Sequence, residues 1–334
     1  MTDAIDAEAG PVLALCGGIG GAKLALGLYR VLDQDRLTVV VNTGDDFEHL
    51  GLHISPDLDT VLYTLAGCSN TETGWGRADE TWTFMSVLST LGGEDWFKLG
   101  DGDLALHIER TRRLKSGQSL SEISETFRRR LGVSARIVPM SDDPVQTVLH
   151  TADGPLAFQH YFVRDRCRHV IRRIGFEGAE RARSNPLLME TLDDPNLRAV
   201  VICPSNPYLS VDPILALPKF REALEACAAP VVAVSPIVHG DAVKGPTAKI
   251  MRELGVPRNN AAIARHYGAL IDGLVLDKAD VAEIDAITIP ALATSTVMMD
   301  LEDRINLAQA VLAFATRLDT RGKPGARADS GTGR

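Results

Sequence analysis

The sequence predicts an α/β protein: a doubly wound, mostly parallel, Rossmann-like sheet with an inserted mixed α+β subdomain. Short β-branched runs end at glycine or proline clusters and give way to helical patterns, the sequence form of parallel strand–helix units. Five such runs stand out, at Val12–Cys16, 37–42, Ala199–Ile202, Val231–Val234 and 274–276, in two groups far apart in the chain. The stretch between the groups differs in character. It holds a Trp-containing loop at 74–82, helix-like patterns to Leu131, and extended segments at 135–139 and 156–163. One domain is therefore expected over 11–317, its core at about 11–70 and 195–317 and its insertion at about 71–194. Residues 1–10 and 318–334 lack periodicity and are expected to be loose ends. No internal repeat is evident.

Composition narrows the function classes. With 334 residues, 45% hydrophobic and 24% charged, the chain can bury a sizeable core, which excludes a mini-protein and global disorder. The net charge is 35 − 44 = −9, which disfavours nonspecific attraction to nucleic acid. Five dispersed cysteines without a C-x-x-C pair indicate neither a zinc cage nor a disulfide framework, and fit a reduced cytoplasm. The acidic start lacks the pattern of a signal peptide, and no apolar run approaches the roughly 18 residues of a membrane span. A cytoplasmic protein without a membrane partner is expected.

The first strand runs into Gly17-Gly18-Ile19-Gly20-Gly21 and opens a helix at Ala22. Backbone N–H groups at such a helix start can hold a phosphate, and glycines let a ligand approach the backbone. The alternative is a merely tight turn. After Gly18-x-Gly20 the third position of a dinucleotide fingerprint is Lys23, and Lys23 also lacks the neighbours of a Walker loop.

The second strand leads into Asn42-Thr43-Gly44-Asp45-Asp46, and Ser55-Pro56-Asp57-Leu58-Asp59 opens another helix. Ser55 as N-cap and Pro56 at N1 make a good start signal, and the helix dipole favours an acid in the first turn, which accounts for Asp57. At about 100° per residue Asp59 points roughly 200° away from Asp57, so the two cannot share a face. Both acidic groups lie at the edge where open α/β sheets bind ligands. If Asp45 or Asp46 meets Asp59 there, like charges about 4 Å apart repel by roughly 4 kcal/mol at an effective dielectric of 20. A divalent cation or a shared proton relieves this, and oxygen ligands without a His/Cys cluster favour Mg²⁺ over Zn²⁺. His49 and His53, with Gly51 between them, read as loop packing.

Further polar turns follow the strands. Cys203-Pro204-Ser205-Asn206-Pro207 and Ser235-Pro236-Ile237 offer hydroxyl and amide groups at the ligand edge, and Gly245-Pro246-Thr247-Ala248-Lys249 opens another helix. Together they suit a nucleotide and its phosphates. Lys98-Leu99-Gly100-Asp101 and Pro139-Met140-Ser141-Asp142-Asp143-Pro144 are equally compatible with turn chemistry. The arginines from Arg164 to Arg183 lack interleaved aromatics and read as a solvated, ion-paired face. No Gly-x-Ser-x-Gly elbow or Cys/His pair points to a covalent nucleophile.

In this order the motifs Cys16 to Lys23, Val40 to Asp46, Ile54 to Tyr63, Lys98 to Asp101, Pro139 to Pro144, Pro204 to Pro207, Val234 to Ile237 and Gly245 to Lys249 resemble the 2-phospho-L-lactate transferase family of coenzyme F-420 biosynthesis. The resemblance implies an Mg²⁺-dependent transfer. A guanylylated three-carbon phospho acid (phospholactate, phosphoenolpyruvate or phosphoglycerate) reacts with the terminal ribityl hydroxyl of the deazaflavin Fo, releasing GMP and forming a coenzyme F-420 precursor. Carried over residue by residue, Asp59 and Lys98 would contact Fo, and Asp45, Asp46 and Asp59 would surround the metal. Gly17, Gly18, Gly20, Gly21, Lys23, Ser205, Asn206, Ser235, Gly245 and Lys249 would hold donor and nucleotide. The family implies a homodimer. The sequence departs from the family at Gly245-Pro246-Thr247-Ala248-Lys249, where Gly-Pro-Ala-Gly-Lys is more usual.

The residue chemistry agrees, because phosphoryl transfer needs positioning, charge neutralisation and an aimed hydroxyl more than a nucleophilic side chain. On this reading Asp59→Asn lowers turnover by about 10² to 10⁴ and leaves the fold intact. The rivals are a nonenzymatic sugar-nucleotide-binding regulator of a related family, which lacks the Ser-Pro-Asp-Leu-Asp-Thr and Pro-Met-Ser-Asp-Asp-Pro patterns, and a nicotinamide dehydrogenase, disfavoured by the misplaced third glycine.

Overall fold

The computed structural model describes residues 10–33, 35–242 and 245–318. The expectations for 1–9 and 319–334 lie outside the described residues. The chain opens with β1 (Val12–Cys16), α1 (Gly18–Val31) and β2 (Leu37–Val41), then a hairpin of β3 (Phe47–His49) and β4 (Leu52–Ile54) before α2 (Pro56–Leu65). Helices α3 (Thr83–Thr90), α4 (Asp101–Lys115) and α5 (Leu120–Arg130) lead to β5 (Arg136–Pro139). Strands β6 (Gln146–Thr151), β7 (Gly154–Ala157) and β8 (Ile171–Glu177) precede α6 (Pro186–Asp193) and β9 (Ala199–Ile202). Then come α7 (Asp212–Leu215), α8 (Pro218–Ala226), β10 (Val231–Val234), a short hairpin of β11 (Ile237–Val238) and β12 (Asp241–Ala242), and α9 (Thr247–Glu253). The last elements are α10 (Asn260–Tyr267), β13 (Gly273–Asp277), β14 (Ala291–Thr294) and α11 (Leu301–Ala315).

The central sheet has seven strands in the order β14-β13-β10-β9-β1-β2-β5. Every pairing in it is parallel, from Val12↔Leu37 on one side of β1 and Val12↔Ala199 on the other. Strand direction and right-handed crossovers force helices onto both faces. Alternation along each strand sorts the core accordingly. Leu13, Leu15, Val200 and Ile202 face one cluster with Phe220, Leu188 and Ile263, whereas Val12, Ala14, Val39 and Val201 face the other with Leu24, Val61 and Val311. From β1 the chain winds outward through β2 to β5, then returns to β9 and winds the opposite way to β14. The reversal between β1 and β9 is a topological switch point, the place where such sheets leave a crevice.

All five strand runs read from the sequence lie in this sheet. The extended segment read at 135–139 is β5, an edge strand of the same sheet, whereas β14, only half-buried along its length, shows no continuous apolar run and was not legible. The placement of β5 corrects the expected insertion at 71–194. Residues 136–139 pair with β2 in the central sheet, which splits the stretch into an α3–α5 crossover and a separate three-stranded antiparallel sheet, β7-β6-β8. The segment 156–163 is extended only to Ala157 and then turns into a π-helical turn, His160–Arg164. No helix among the described residues is long and apolar enough to cross a membrane.

Candidate functional site

The turns after β1, β2 and β9 meet at the carboxyl edge of the sheet beside the switch point. Asp57, in the first turn of α2, ties two of them together. Its Oδ1 accepts the Gly18 N–H at 2.8 Å and its Oδ2 accepts the Asn42 side-chain amide at 3.0 Å. Asn42 is fully buried; its Oδ1 accepts the Gly44 N–H at 2.8 Å, closing the turn that presents Asp45 and Asp46. The helix-dipole reading of Asp57 is therefore incomplete, since its carboxylate also organises the Gly-rich and acidic turns. Ser55 makes no side-chain cap; its hydroxyl donates instead to Asp46 Oδ2 at 2.7 Å, and His53 Nε2 lies 3.2 Å from the same oxygen.

The outcome is a buried acidic cluster. Asp45 is 5% exposed, and Asp45 Oδ1 and Asp46 Oδ1 have no hydrogen-bond partner among the described residues. Burial, then the charge of Asp57, pushes the Asp45 carboxyl well above the usual carboxylate range. Burial likewise raises Asp46 against the hydrogen bonds from His53 and Ser55, and pushes Asp57 up to about 6 against those from Asn42 and Gly18. Unsatisfied carboxylate oxygens crowded in a dry site suit a hard divalent cation with oxygen ligands.

Asp59 has a different partner. On the other side of α2 it forms a two-pronged ion pair with the buried Arg110 of α4, one contact being Arg110 Nη1 to Asp59 Oδ2 at 3.0 Å and the other Arg110 Nη2 to Asp59 Oδ1. His107 Nδ1 lies 3.6 Å from Asp59 Oδ2, and Tyr63 donates to Asp103 Oδ1 at 2.6 Å. Burial opposes the charge on Arg110, yet the Asp59 carboxylate holds its pKa above the ordinary value. Asp59, Asp103 and His107 have ligand atoms close enough for a metal, but the guanidinium already occupies Asp59. Asp57 shares the Asp45–Asp46 environment, while Asp59 is paired with Arg110 in a network joining α2 to α4 whose guanidinium charge also acts on Asp46.

The glycines serve the protein's own packing. A Cβ on Gly20 would lie 2.3 Å from the Pro204 carbonyl oxygen, one on Gly21 2.5 Å from Ser205 Oγ, and one on Gly17 2.5 Å from Ser210 Cβ. Gly18 adopts φ +63°, the left-handed region where a Cβ is disfavoured. Ser205 Oγ accepts the Gly17 N–H at 3.3 Å, so the donors of Gly17 and Gly18 are both engaged internally. We expect Gly20→Ala to destabilise the fold by about 1–3 kcal/mol through overpacking against Pro204, measured as a lower urea midpoint. An unchanged midpoint would mean that this glycine makes room only for a ligand.

The remaining residues singled out in the sequence divide. Asn206 Oδ1 caps Tyr208 and Leu209, while its Nδ2 has no partner among the described residues. Ser235 is buried, its hydroxyl accepting the Ile237 N–H. Lys23 donates to the Met298 carbonyl at 2.7 Å. Gly245, at φ +75°, has open space around it. Lys249 is engaged by Tyr161, the His169 carbonyl and Glu253, which ties α9 to the π-helical segment rather than presenting its ammonium to a phosphate. Lys98 is exposed and lies 3.5 Å from Asp95. His49 packs against Trp96 and Phe97, as loop packing predicts. Arg164 and Arg168 pair with Asp165, and Arg183 with Asp143. Asp57, Asn42 and Arg110 are what sequence reasoning missed; Asn42 and Asp57 stood inside quoted motifs, but nothing local marked their partners.

A family model described as 2-phospho-L-lactate transferase CofD matches residues 12–314. The chain belongs to this family. Curated relatives of the CofD family chain include proteins named phosphoenolpyruvate transferase from Kitasatospora aureofaciens, 41% identical over 92% of this chain and 98% of the relative, and from Streptomyces coelicolor, 39% identical over 91% and 98%. Among solved structures, a member of the upf0052 family from Bacillus halodurans superposes with a TM-score of 0.60 over 91% of this chain and 99% of that one. At 16% identity that likeness concerns the fold. Membership in the CofD family makes the chain a transferase.

Proposed function

We propose that this CofD family transferase moves a phosphorylated three-carbon acid from a guanylylated donor to the terminal ribityl hydroxyl of Fo. The observation that carries the reading is the pair of buried carboxylates, Asp45 and Asp46, whose free oxygens lie beside the switch point of a parallel sheet. The names of the relatives favour the phosphoenolpyruvate moiety as the acid. In the transfer, the Fo hydroxyl oxygen forms a bond to the phosphorus bearing the acid, the bond from that phosphorus to the GMP oxygen breaks, GMP departs with the electron pair, and the hydroxyl proton is lost to the medium. Asp45 and Asp46 would hold Mg²⁺, with Asp57 adding a third negative charge. The ion, when bound, supplies charge neutralisation for the donor phosphates. The chain's own residues position the reactants: Asp57 and Asn42 fix the Gly-rich turn against the acidic turn, and the Ser205–Asn206 turn offers an amide donor from the far side of β1.

Incubation with Fo and each guanylylated acid, followed by mass spectrometry, tests the reading: an Fo adduct carrying the enolpyruvyl phosphate is expected, and no adduct with any donor refutes it. Parallel titrations with a sugar nucleotide and with NAD separate the rival readings. Lys98→Ala is expected to weaken Fo binding at an unchanged melting temperature, because Lys98 is exposed and its surface pair with Asp95 is worth at most about 1 kcal/mol. An unchanged Fo dissociation constant removes Lys98 from the acceptor site.

A further inference from the structure

At the π-helical turn His160–Arg164, successive side chains reach three separate parts of the chain. Gln159, 5% exposed, donates its side-chain amide to the Asp45 carbonyl at 3.3 Å. His160 packs edge-on against Trp96, their ring centroids 5.2 Å apart. Tyr161, fully buried, accepts from Lys249 Nζ at 3.2 Å, and Lys249 also donates to the His169 carbonyl at 2.7 Å. The turn itself is closed by the Asp165 N–H to the His160 carbonyl and the Cys167 N–H to the Tyr161 carbonyl, both at 2.8 Å. Turns of this kind are rare and frequently lie at functional sites.

What Gln159 holds is the peptide unit between Asp45 and Asp46. The Asp46 N–H donates to the Thr43 carbonyl at 3.2 Å, so with the bond from Gln159 both polar ends of this unit are taken. Gly44, one residue earlier, is held through both of its backbone groups: its N–H donates to Asn42 Oδ1 at 2.8 Å, and its carbonyl accepts the Thr147 N–H of β6 at 2.7 Å. A planar peptide pinned at both ends cannot rock without breaking one of the two bonds, and its orientation sets the Cα–Cβ directions on either side. The residues on either side are the two acids whose Oδ1 atoms have no partner among the described residues.

We infer that Gln159 is a positioning residue for the transfer, aiming the Asp45 and Asp46 carboxylates by locking the peptide between them, with the π-helical turn as its mount. The inference rests on the reading of these acids as the holders of a divalent cation. Groups that orient metal-holding side chains from behind typically change metal affinity or activity by about 10- to 100-fold when removed.

The test uses the full chain, with Mn²⁺ as the probe. Gln159→Met keeps the length of the side chain and loses the amide donor. It is expected to raise the Mn²⁺ dissociation constant, followed by paramagnetic resonance, by about 10-fold or more and to lower kcat by a similar factor, with the Fo KM within about twofold of wild type. The melting temperature is expected to fall by at most about 5 °C, the effect of one lost hydrogen bond. Phe162→Ala removes a ring stacked on Phe158 in the same turn and is expected to lower the melting temperature at an unchanged Mn²⁺ dissociation constant. Wild-type Mn²⁺ affinity in Gln159→Met overturns the inference alone. An equal loss of affinity in Phe162→Ala also overturns it, since the effect would then belong to a loosened segment. A wild-type protein that binds no Mn²⁺ overturns the metal reading of Asp45 and Asp46 and the positioning role with it.

Discussion

Replacing Asp45 by Asn is expected to lower kcat by about 10² to 10⁴ without lowering the melting temperature. The two halves of this result come from one cause. Asp45 is a buried carboxyl crowded by Asp57 and Asp46, so its negative charge is costly to the folded chain. Neutralising it removes like-charge repulsion and desolvation, which leaves stability equal or higher. The same crowding is what attracts a cation, so the variant is also expected to lose Mn²⁺ binding, followed by paramagnetic resonance with Mn²⁺ as a probe for Mg²⁺. A variant that melts lower and turns over normally would show that Asp45 serves the fold rather than the reaction.

Asp59→Asn is expected to act through stability. The carboxylate is the charged partner of a fully buried guanidinium, and removing it strands Arg110 in a low-dielectric interior with a histidine nitrogen beside it. Breaking such a pair costs about 3–5 kcal/mol, because the remaining charge is left uncompensated. The double variant Asp59→Asn/Arg110→Gln is expected to recover about 0.5–3 kcal/mol of coupling energy. Chemical denaturation of the single and double variants measures both numbers. A single variant with wild-type stability and a turnover lower by 10² to 10⁴ would restore the direct catalytic role that the sequence suggests.

The contrast between Asp57 and Asp59 shows where sequence reading stops. Helical geometry correctly puts the two on opposite faces of α2, and nothing local says which face meets the acidic turn. Proline at N1 and an acid in the first turn explain Asp57 well enough to hide its bonds to Gly18 and Asn42, residues 39 and 15 positions away. Arg110 gives no signal at all, since it lies in an arginine-containing helix 51 positions from its partner. The glycines illustrate the same limit. Their clustering announces close approach, but only the packed structure shows that what approaches Gly20 and Gly21 is the Pro204–Ser205 turn. The edge strand β14 was missed because a strand half-open to solvent need not be continuously apolar, and the extended segment at 135–139 carried no sign that it pairs with β2 in the central sheet.

Periodicity and punctuation in the sequence determined the parallel α/β core, its five inner strands and the family to which the eight ordered motifs belong, because burial on both faces of a sheet demands unbroken apolar runs whatever lies around them. Tertiary structure alone decided which acids keep company. Whether a carboxylate is bare, hydrogen-bonded or paired with a guanidinium depends on chain segments brought together by crossovers, and the spacing of residues along one helix carries no record of them.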